Sequence, residues 1–200
     1  MAELRFFHGP MDCGKSTLAL QTHHNLARAG LIGALFTRND RQGAIISSRI
    51  GLSAPATAID DTFRFDATTL RGNVPDLTYI VCDEAQFLTE VHVDELAMLV
   101  DDAGIDVYAF GITTDFRSRF FPGSRRLMEL ADARVELQVG AWCWCGRPGR
   151  LNARVEGGHV VYEGDQVVVG DTHTPTEATP VSYVVLCRAH WRDGTSAAPS

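Results

Sequence analysis

No stretch of this 200-residue chain stays apolar long enough to make a membrane-spanning helix, which needs about 20 such residues. Positive charge is also short. Lys and Arg number 18 against 25 Asp and Glu, a formal net charge of −7, so the chain lacks the basic excess that indiscriminate nucleic-acid or membrane-surface binding requires. The first residues carry no basic-then-apolar leader, because a glycine-rich motif already begins at Gly9. The five cysteines are an odd number with no secretion signal beside them, which points to a reducing compartment and to a metal rather than a disulfide framework. We therefore expect a cytoplasmic protein that binds neither membrane nor nucleic acid. At 45% hydrophobic and 22% charged residues the composition is that of a globular chain. Its length suits one domain, or one domain with a small annex, burying about 70% of the unfolded surface.

What is present begins with Gly9-Pro10-Met11-Asp12-Cys13-Gly14-Lys15-Ser16-Thr17, in which Gly9 to Ser16 fits G-x-x-x-x-G-K-[ST]. The apolar run Leu4-Arg5-Phe6-Phe7 enters it as a strand, and Thr17-Leu18-Ala19-Leu20-Gln21 leaves it as the first turns of a helix that Gly30 can end. Glycines let backbone N–H groups curl around an anion, and the helix N-terminus adds its positive dipole end. Lys15 would reach the outer phosphates of a nucleoside triphosphate and the Ser16 hydroxyl would ligate Mg²⁺. The alternative is a strand-turn-helix corner with no ligand.

Downstream the pattern alternates. Strands are expected over Leu31–Thr37, Leu77–Cys82, Ile105–Ile112 and Ala133–Val139, and helices over Ser16–Ala29, Asp61–Arg71, Thr89–Ala103 and Gly123–Ala131. Arg38–Ser48 reads as a loop. Alternating strands and helices make an α/β fold, a P-loop parallel sheet with helices on both faces. The run Leu77–Cys82 ends in Asp83-Glu84, and parallel strands deliver their C-terminal ends to the ligand crevice. Asp83 would hold Mg²⁺, and Glu84, pointing to the opposite face by strand alternation, would be free to act on a nucleophile. The alternative is that the pair simply begins a solvated helix, where acids favour the N-terminus. Thr89 and Gly104 are the expected cap and stop of the following helix. Phe116, Phe120 and Phe121 lie with Arg117 and Arg119 on a loop at a strand's C-terminal end. They form either a binding site or a cover for the sheet edge.

After residue 140 the composition changes. Cys143 and Cys145 are matched by Cys187 and His190, two pairs on short turns that suit a tetrahedral zinc site, although the first is C-x-C rather than C-x-x-C. Short antiparallel strands are expected between them at Leu151–Val155, His159–Tyr162 and Gln166–Gly170, with Gly157-Gly158 and Gly164-Asp165 as turns. Asp171–Pro180 reads as a mobile loop. The expected organisation is a nucleotide-binding domain over 1–139, a zinc-binding β annex over 140–193 and a tail over 194–200.

Taken together, the Gly9–Thr17 loop, Asp83-Glu84-Ala85-Gln86-Phe87, Gly111-x-x-Thr114-Asp115-Phe116-Arg117 and the closing cysteine pairs resemble the type II thymidine kinases. The motifs keep the family's order over about residues 3 to 192, and Ser48-Arg49-Ile50-Gly51-Leu52 and the C-x-C pair are similar to bacterial members. The resemblance implies ATP-dependent phosphorylation of thymidine, and of deoxyuridine, at the 5′-hydroxyl. It implies Glu84 as general base, with Gly9 to Thr17, Asp83 and Gln86 around ATP. Met11, Phe87, Phe116, Phe121 and Tyr183 fall on its nucleoside site, and Cys143, Cys145, Cys187 and His190 on its structural zinc ligands. A lasso loop, here including Val167, Val168, Val169 and Gly170, would read the base by backbone groups. The family's homotetramer and inhibition by dTTP are likewise implied. Two departures stand out. Eleven residues, Thr172 to Ser182, separate Gly170-Asp171 from Tyr183, which lengthens the lasso, and Asn152 stands where a Thr or apolar residue near the base is expected. Two other classes compete with a kinase: a P-loop ATPase whose Glu84 activates water and whose annex binds nucleic acid through Arg117, Arg119, Arg125 and Arg126, and a nucleotide-binding switch without turnover.

Overall fold

Short apolar runs, bounded by polar and glycine-containing turns, become the strands of a parallel sheet. The computed structural model describes residues 1–38, 44–137, 140–166 and 181–198. It divides into a first unit of Met1–His8, Gly14–Ile112 and Phe121–Leu137 and a second of Gly9–Cys13, Thr113–Phe120 and Gln138–Ser200.

In chain order the first unit contains β1 (Leu4–His8), α1 (Lys15–Arg28), β2 (Gly33–Thr37), β3 (Ile45–Ser47), β4 (Ser53–Pro55), β5 (Thr57–Ala58), α2 (Ala67–Asn73) and β6 (Tyr79–Asp83). A 3-10 turn over Ala85–Phe87, α3 (Glu90–Ala103), β7 (Asp106–Gly111), α4 (Pro122–Leu130) and β8 (Ala133–Glu136) follow. The main sheet runs β5-β2-β6-β7-β1-β8, with every pairing parallel. Alternation along the strands sorts the core into two layers. Leu4, Phe6, Ile80, Cys82, Val107 and Ala109 pack with Val93, Leu96 and Val100 of α3 and Leu127 of α4. Phe7, Tyr79, Val81, Tyr108 and Phe110 pack with Ala19 and Leu20 of α1. Helices therefore cover both faces, as the alternating pattern predicts.

The predicted helix ends are observed. Gly30 is left-handed just past α1, and Gly104, at φ 66°, closes α3. At the start of α3 the Thr89 hydroxyl accepts the His92 N–H at 3.1 Å while His92 Nδ1 accepts the Thr89 N–H at 3.3 Å. The expected helix over Asp61–Arg71 is shorter and later, because Asp66 caps it by accepting from the Thr69 N–H at 2.8 Å. Before that cap, Phe63 and Phe65 pack against Phe36 instead. The expected loop over Arg38–Ser48 is also corrected: Ile45–Ser47 forms β3, paired antiparallel with β4 around a turn closed by the Ser48 N–H and Leu52 carbonyl at 2.8 Å. Ile46 buries completely against the α1 layer, a gain that the polar flanks hide in the sequence. Residues 39–43 lie outside the described residues, as do 138 and 139 at the end of the expected strand Ala133–Val139.

The second unit holds β9 (Leu151–Glu156), β10 (His159–Val161), β11 (Val181–Leu186) and α5 (Arg188–Asp193). Its three-stranded sheet is antiparallel in the order β10-β9-β11. Gly157 and Gly158, at φ 56° and 84°, make the hairpin turn in which both central residues need positive φ. Of the strand expected at Gln166–Gly170, Gln166 is not in a strand and the rest, like all of 167–180, lies outside the described residues; β11, which the sequence reading does not foresee, pairs with β9 and sets Tyr183 opposite Arg154. Past α5, Thr195 donates its N–H to the His190 carbonyl at 3.0 Å and Ser196 donates to the Gly158 carbonyl at 2.8 Å.

Candidate active site and metal centre

The phosphate loop joins β1 to α1, with Asp12 and Gly14 in left-handed conformations at φ 64° and 80°. Gly14 starts α1 without a side-chain cap, and no acid stands in the first turn. A helix start so built offers its first amides to an anion. Lys15 is the only lysine in the sequence; every other basic side chain besides histidine is arginine. In the first unit the Ser16 hydroxyl bonds to the carboxylate of Asp83, the last residue of β6. Asp83 is buried, and burial together with the adjacent Glu84 charge pushes its carboxyl up to about 7, against the opposing pull of Ser16 and Lys15. A cation bound there would reverse that balance and favour the carboxylate.

Glu84 does not alternate onto the opposite face of a strand. The strand ends at Asp83, and Glu84 sits at φ 54°, ψ 35° as the residue that starts the 3-10 turn. A left-handed glutamate is sparsely populated and persists only when its surroundings hold it. The holder is Gln86, buried, whose Nε2 donates to the Glu84 carboxylate and whose Oε1 accepts the Ile112 N–H at 3.1 Å. Gly111 has no Cβ for a reason, since one would lie 2.8 Å from Gln86 Oε1. Ser124, on α4, donates to the Ile112 carbonyl at 2.6 Å and completes this buried corner. Phe87 and Phe121 meet edge to face, with centroids 5.6 Å apart.

In the second unit, Phe116 sits on a turn shaped by buried Asp115. Its Oδ1 accepts the N–H groups of Arg117 and Arg119, each at 2.9 Å, and its Oδ2 accepts from the Arg117 guanidinium at 2.9 and 3.1 Å. Phe116 is itself buried, whereas Phe120 is 49% exposed. Met11 is tied by its N–H to Asn152 Oδ1 at 2.8 Å, and Asn152 Nδ2 donates to the Thr114 carbonyl at 3.2 Å. The asparagine that departs from the family pattern thus has both ends of its amide engaged. Two residues on, Arg154 lies with its guanidinium carbon 3.8 Å from the Phe116 ring centroid and its Nε 3.2 Å from the Tyr183 hydroxyl. Sequence reasoning passes over Arg154, Gln86's holding role and the turn-shaping role of Asp115, and names Asn152 only as a departure from the family pattern. One signal was available: Asn152 and Arg154 alternate within a strand, so two polar side chains share one face. Val167, Val168, Val169 and Gly170 lie outside the described residues.

The arginines that favour a nucleic-acid annex are mostly committed to acids. Arg117 pairs with Asp115, Arg125 with Glu90, and Arg126 with Asp94 at 2.7 Å and Glu129 at 2.9 Å.

Cys143, Cys145, Cys187 and His190 converge, their ligand atoms all within 4.8 Å of one another. His190 Nδ1 is 3.3 Å from Cys143 Sγ and 3.5 Å from Cys187 Sγ, and the Cys145 and Cys187 sulfurs are 4.0 Å apart. Tetrahedral zinc, with bonds of about 2.3 Å to sulfur and 2.0–2.1 Å to nitrogen, calls for ligand separations of about 3.5–3.8 Å. The sulfurs are also far too distant for a disulfide. The sequence builds the site from two turns. Gly146, at φ 78°, lets its N–H bond the Cys143 carbonyl at 2.9 Å, and Cys187 starts α5, which carries His190 one turn on. Trp144 stacks on the His190 ring at 4.1 Å. Burial raises the Cys143 thiol, yet amide donors at Cys145 and Cys187 and the His190 ring outweigh it and bring the thiol down to about 6, a thiolate-favouring setting. The donor set fits zinc.

The family profile described as thymidine kinase matches residues 2–191. A thymidine kinase of Streptomyces avermitilis is 52% identical over 199 residues, spanning 96% of this chain and 89% of the relative. That of Cutibacterium acnes is 49% identical over 97% of this chain and 90% of its own. That of Legionella pneumophila (strain Lens) is 38% identical over 97% and 91%. With its phosphate loop, its acidic pair and its Cys₃His cluster in place, the chain belongs to the thymidine kinase family.

Proposed function

We propose that the chain transfers the γ-phosphoryl group of ATP to the 5′-hydroxyl of thymidine, and of deoxyuridine, giving ADP and the nucleoside monophosphate. The corner at the end of β6 carries the reading: Ser16 on buried Asp83, the Lys15 charge acting on that carboxylate, and Glu84 turned out of the strand beside it. Phosphoryl transfer depends on positioning and on offsetting charge on the phosphate oxygens. Backbone N–H groups of the Gly9–Thr17 loop cradle the phosphates, and the Lys15 ammonium offsets their outer charge. Ser16 and Asp83 are the residues that would hold Mg²⁺, which supplies further offset when bound. Glu84 accepts the hydroxyl proton as the 5′-oxygen bonds to the γ-phosphorus and the bond to the β–γ bridging oxygen breaks. Gln86 keeps the Glu84 carboxylate aimed. Phe116 packs on the base, with Met11, Phe87, Phe121, Tyr183 and the 167–170 segment as further nucleoside contacts. Zinc at the Cys₃His cluster is structural, because four protein ligands leave it no open position. We assign the chain to the cytoplasm as a homotetramer restrained by dTTP.

ADP release measured with and without a panel of nucleosides tests this. Stimulation by thymidine and deoxyuridine is the expected result. Hydrolysis of ATP at one rate with or without any nucleoside would point to an ATPase, and no turnover at all to a switch. Because Lys15 is the sole lysine, amine-selective acylation should abolish activity, and ATP should protect it.

A further inference from the structure

Arg154 is one of the largest fully buried side chains among the described residues, at 2% exposure. Arginine stays protonated, and burying a charge without an opposite one is unfavourable. Among the described residues no carboxylate pairs with Arg154. Its charge meets neutral groups instead. The guanidinium carbon lies 3.8 Å from the centroid of the Phe116 ring and 5.7 Å from that of Tyr183. Nε points to the Tyr183 hydroxyl at 3.2 Å, and one terminal nitrogen donates to the Asp165 carbonyl at 2.6 Å. A ring face, a phenol and a carbonyl are each partial substitutes for a counter-ion.

These partners come from three separate stretches: the turn over Thr113–Phe120, the segment after β10, and β11. The backbone of Phe116 is held by other groups, its carbonyl by Trp191 Nε1 at 3.0 Å and its neighbours by Asp115. What is left to set is its ring orientation, and of the two guanidinium groups over that ring Arg154 is the nearer, at 3.8 Å against 5.4 Å for Arg117. An apolar residue on the inner face of β9 would fill the same space with no such demands, as Ala153 and Val155 do on the other face.

We infer that Arg154 is a positioning residue for nucleoside recognition: one guanidinium, seated on Phe116 and bonded to Tyr183, fixes two aromatic side chains of the base site relative to each other. The inference rests on the thymidine kinase reading. Lysine cannot replace it. An ammonium is a point donor, whereas the guanidinium offers a flat face to the ring and separate N–H groups to the phenol and the carbonyl.

The test compares R154M and R154K with the intact zinc-loaded protein, reading thymidine affinity by calorimetry beside the steady-state constants and zinc content. Both variants should weaken thymidine binding and raise its KM by about tenfold or more, the equivalent of about 1.4 kcal/mol. The KM for ATP should stay within about twofold and zinc should remain bound. In an F116L background, R154M should add little, because the ring it positions is gone. Thymidine affinity within about twofold of the parent in R154M would overturn the inference. So would full rescue by R154K, or joint loss of zinc, ATP and thymidine binding in both variants, which would make Arg154 a core residue only. A parent protein that binds ATP but neither binds nor phosphorylates thymidine sinks the kinase reading itself, and that arm is read before either variant.

Discussion

The two units are held together by different means. Among the described residues the sheet unit buries its strands between two apolar layers, one of them a cluster of 20 buried residues, and its buried polar residues include Asp83, Gln86 and Ser124 and, at the start of α3, His92. Among its described residues the annex has one cluster of six buried apolar residues, two of which are the proposed zinc ligands Cys143 and Cys187. Along β9 it also buries Asn152 and Arg154. Where a core is thin, metal coordination and satisfied polar contacts take over from apolar area. The same difference runs through the proposed chemistry: Lys15, Ser16, Asp83 and Glu84 stand in the sheet unit, whereas Met11, Phe116 and Tyr183, three of the proposed nucleoside contacts, stand in the second unit.

Zinc removal is the strongest way to break this comparison. Chelation should unfold the annex from about Gly140 onward and spare the sheet unit, since zinc supplies roughly 10–16 kcal/mol of apparent free energy to small zinc modules. Limited proteolysis with elemental analysis reads it. An annex that resists protease after losing its metal, or a protein purified active with reduced cysteines and no zinc, would mean that the six-residue core suffices.

Next in size is Glu84→Gln, which should lower kcat by roughly 10²–10⁴-fold, the usual worth of a positioned general base. Calorimetric binding of ATP should persist, because the phosphate loop is untouched. Near-parental turnover would remove Glu84 from the mechanism.

Asn152→Leu sharpens the annex side. It leaves the Met11 N–H and the Thr114 carbonyl without the partner each has now, at about 1–3 kcal/mol per group. A thermal-unfolding midpoint unchanged from the parent would show that water replaces the amide.

The smallest effect belongs to the sheet unit, whose apolar layers tolerate a lost cap. Thr89→Ala should cost about 1 kcal/mol in denaturant unfolding. His92 adds a pH dependence of known sign. Burial is the main cause holding its imidazole below the ordinary value, and Arg38 adds to it. The unfolded chain therefore binds the proton more readily, so this stability is present above about pH 6.5 and is lost as pH falls below it. His92→Gln should flatten that acid slope, and an unchanged slope would place the linkage elsewhere.

Much of this was legible before any coordinates. The phosphate loop is a run of consecutive residues, so its glycines, Lys15 and Ser16 announce an anion cradle locally. Asp83 and Glu84 follow an apolar run directly, and each zinc pair sits on one short turn. Thr89, Gly104 and the Gly157-Gly158 hairpin were readable for the same reason: a cap or a two-residue turn is decided by neighbours in the chain. The misread elements depend on partners further away. β3 exists because Ser53–Pro55 comes back to pair with it, and β11 because it reaches β9 across residues outside the described set. The left-handed turn at Glu84 is held by Gln86 and Ile112, a link no strand periodicity contains.

Sequence by itself determined the chemistry available: a triphosphate cradle, an acidic pair, four soft and borderline metal ligands, and an order of motifs that resembles one family. Tertiary structure alone decided how those groups are aimed. Arg154 is an unremarkable residue of a short strand until Phe116, Asp165 and Tyr183 arrive around it from three directions. The physical reason is range. Backbone conformation and local ligand spacing are set within a few residues, but the desolvation of a buried charge depends on everything that folds over it.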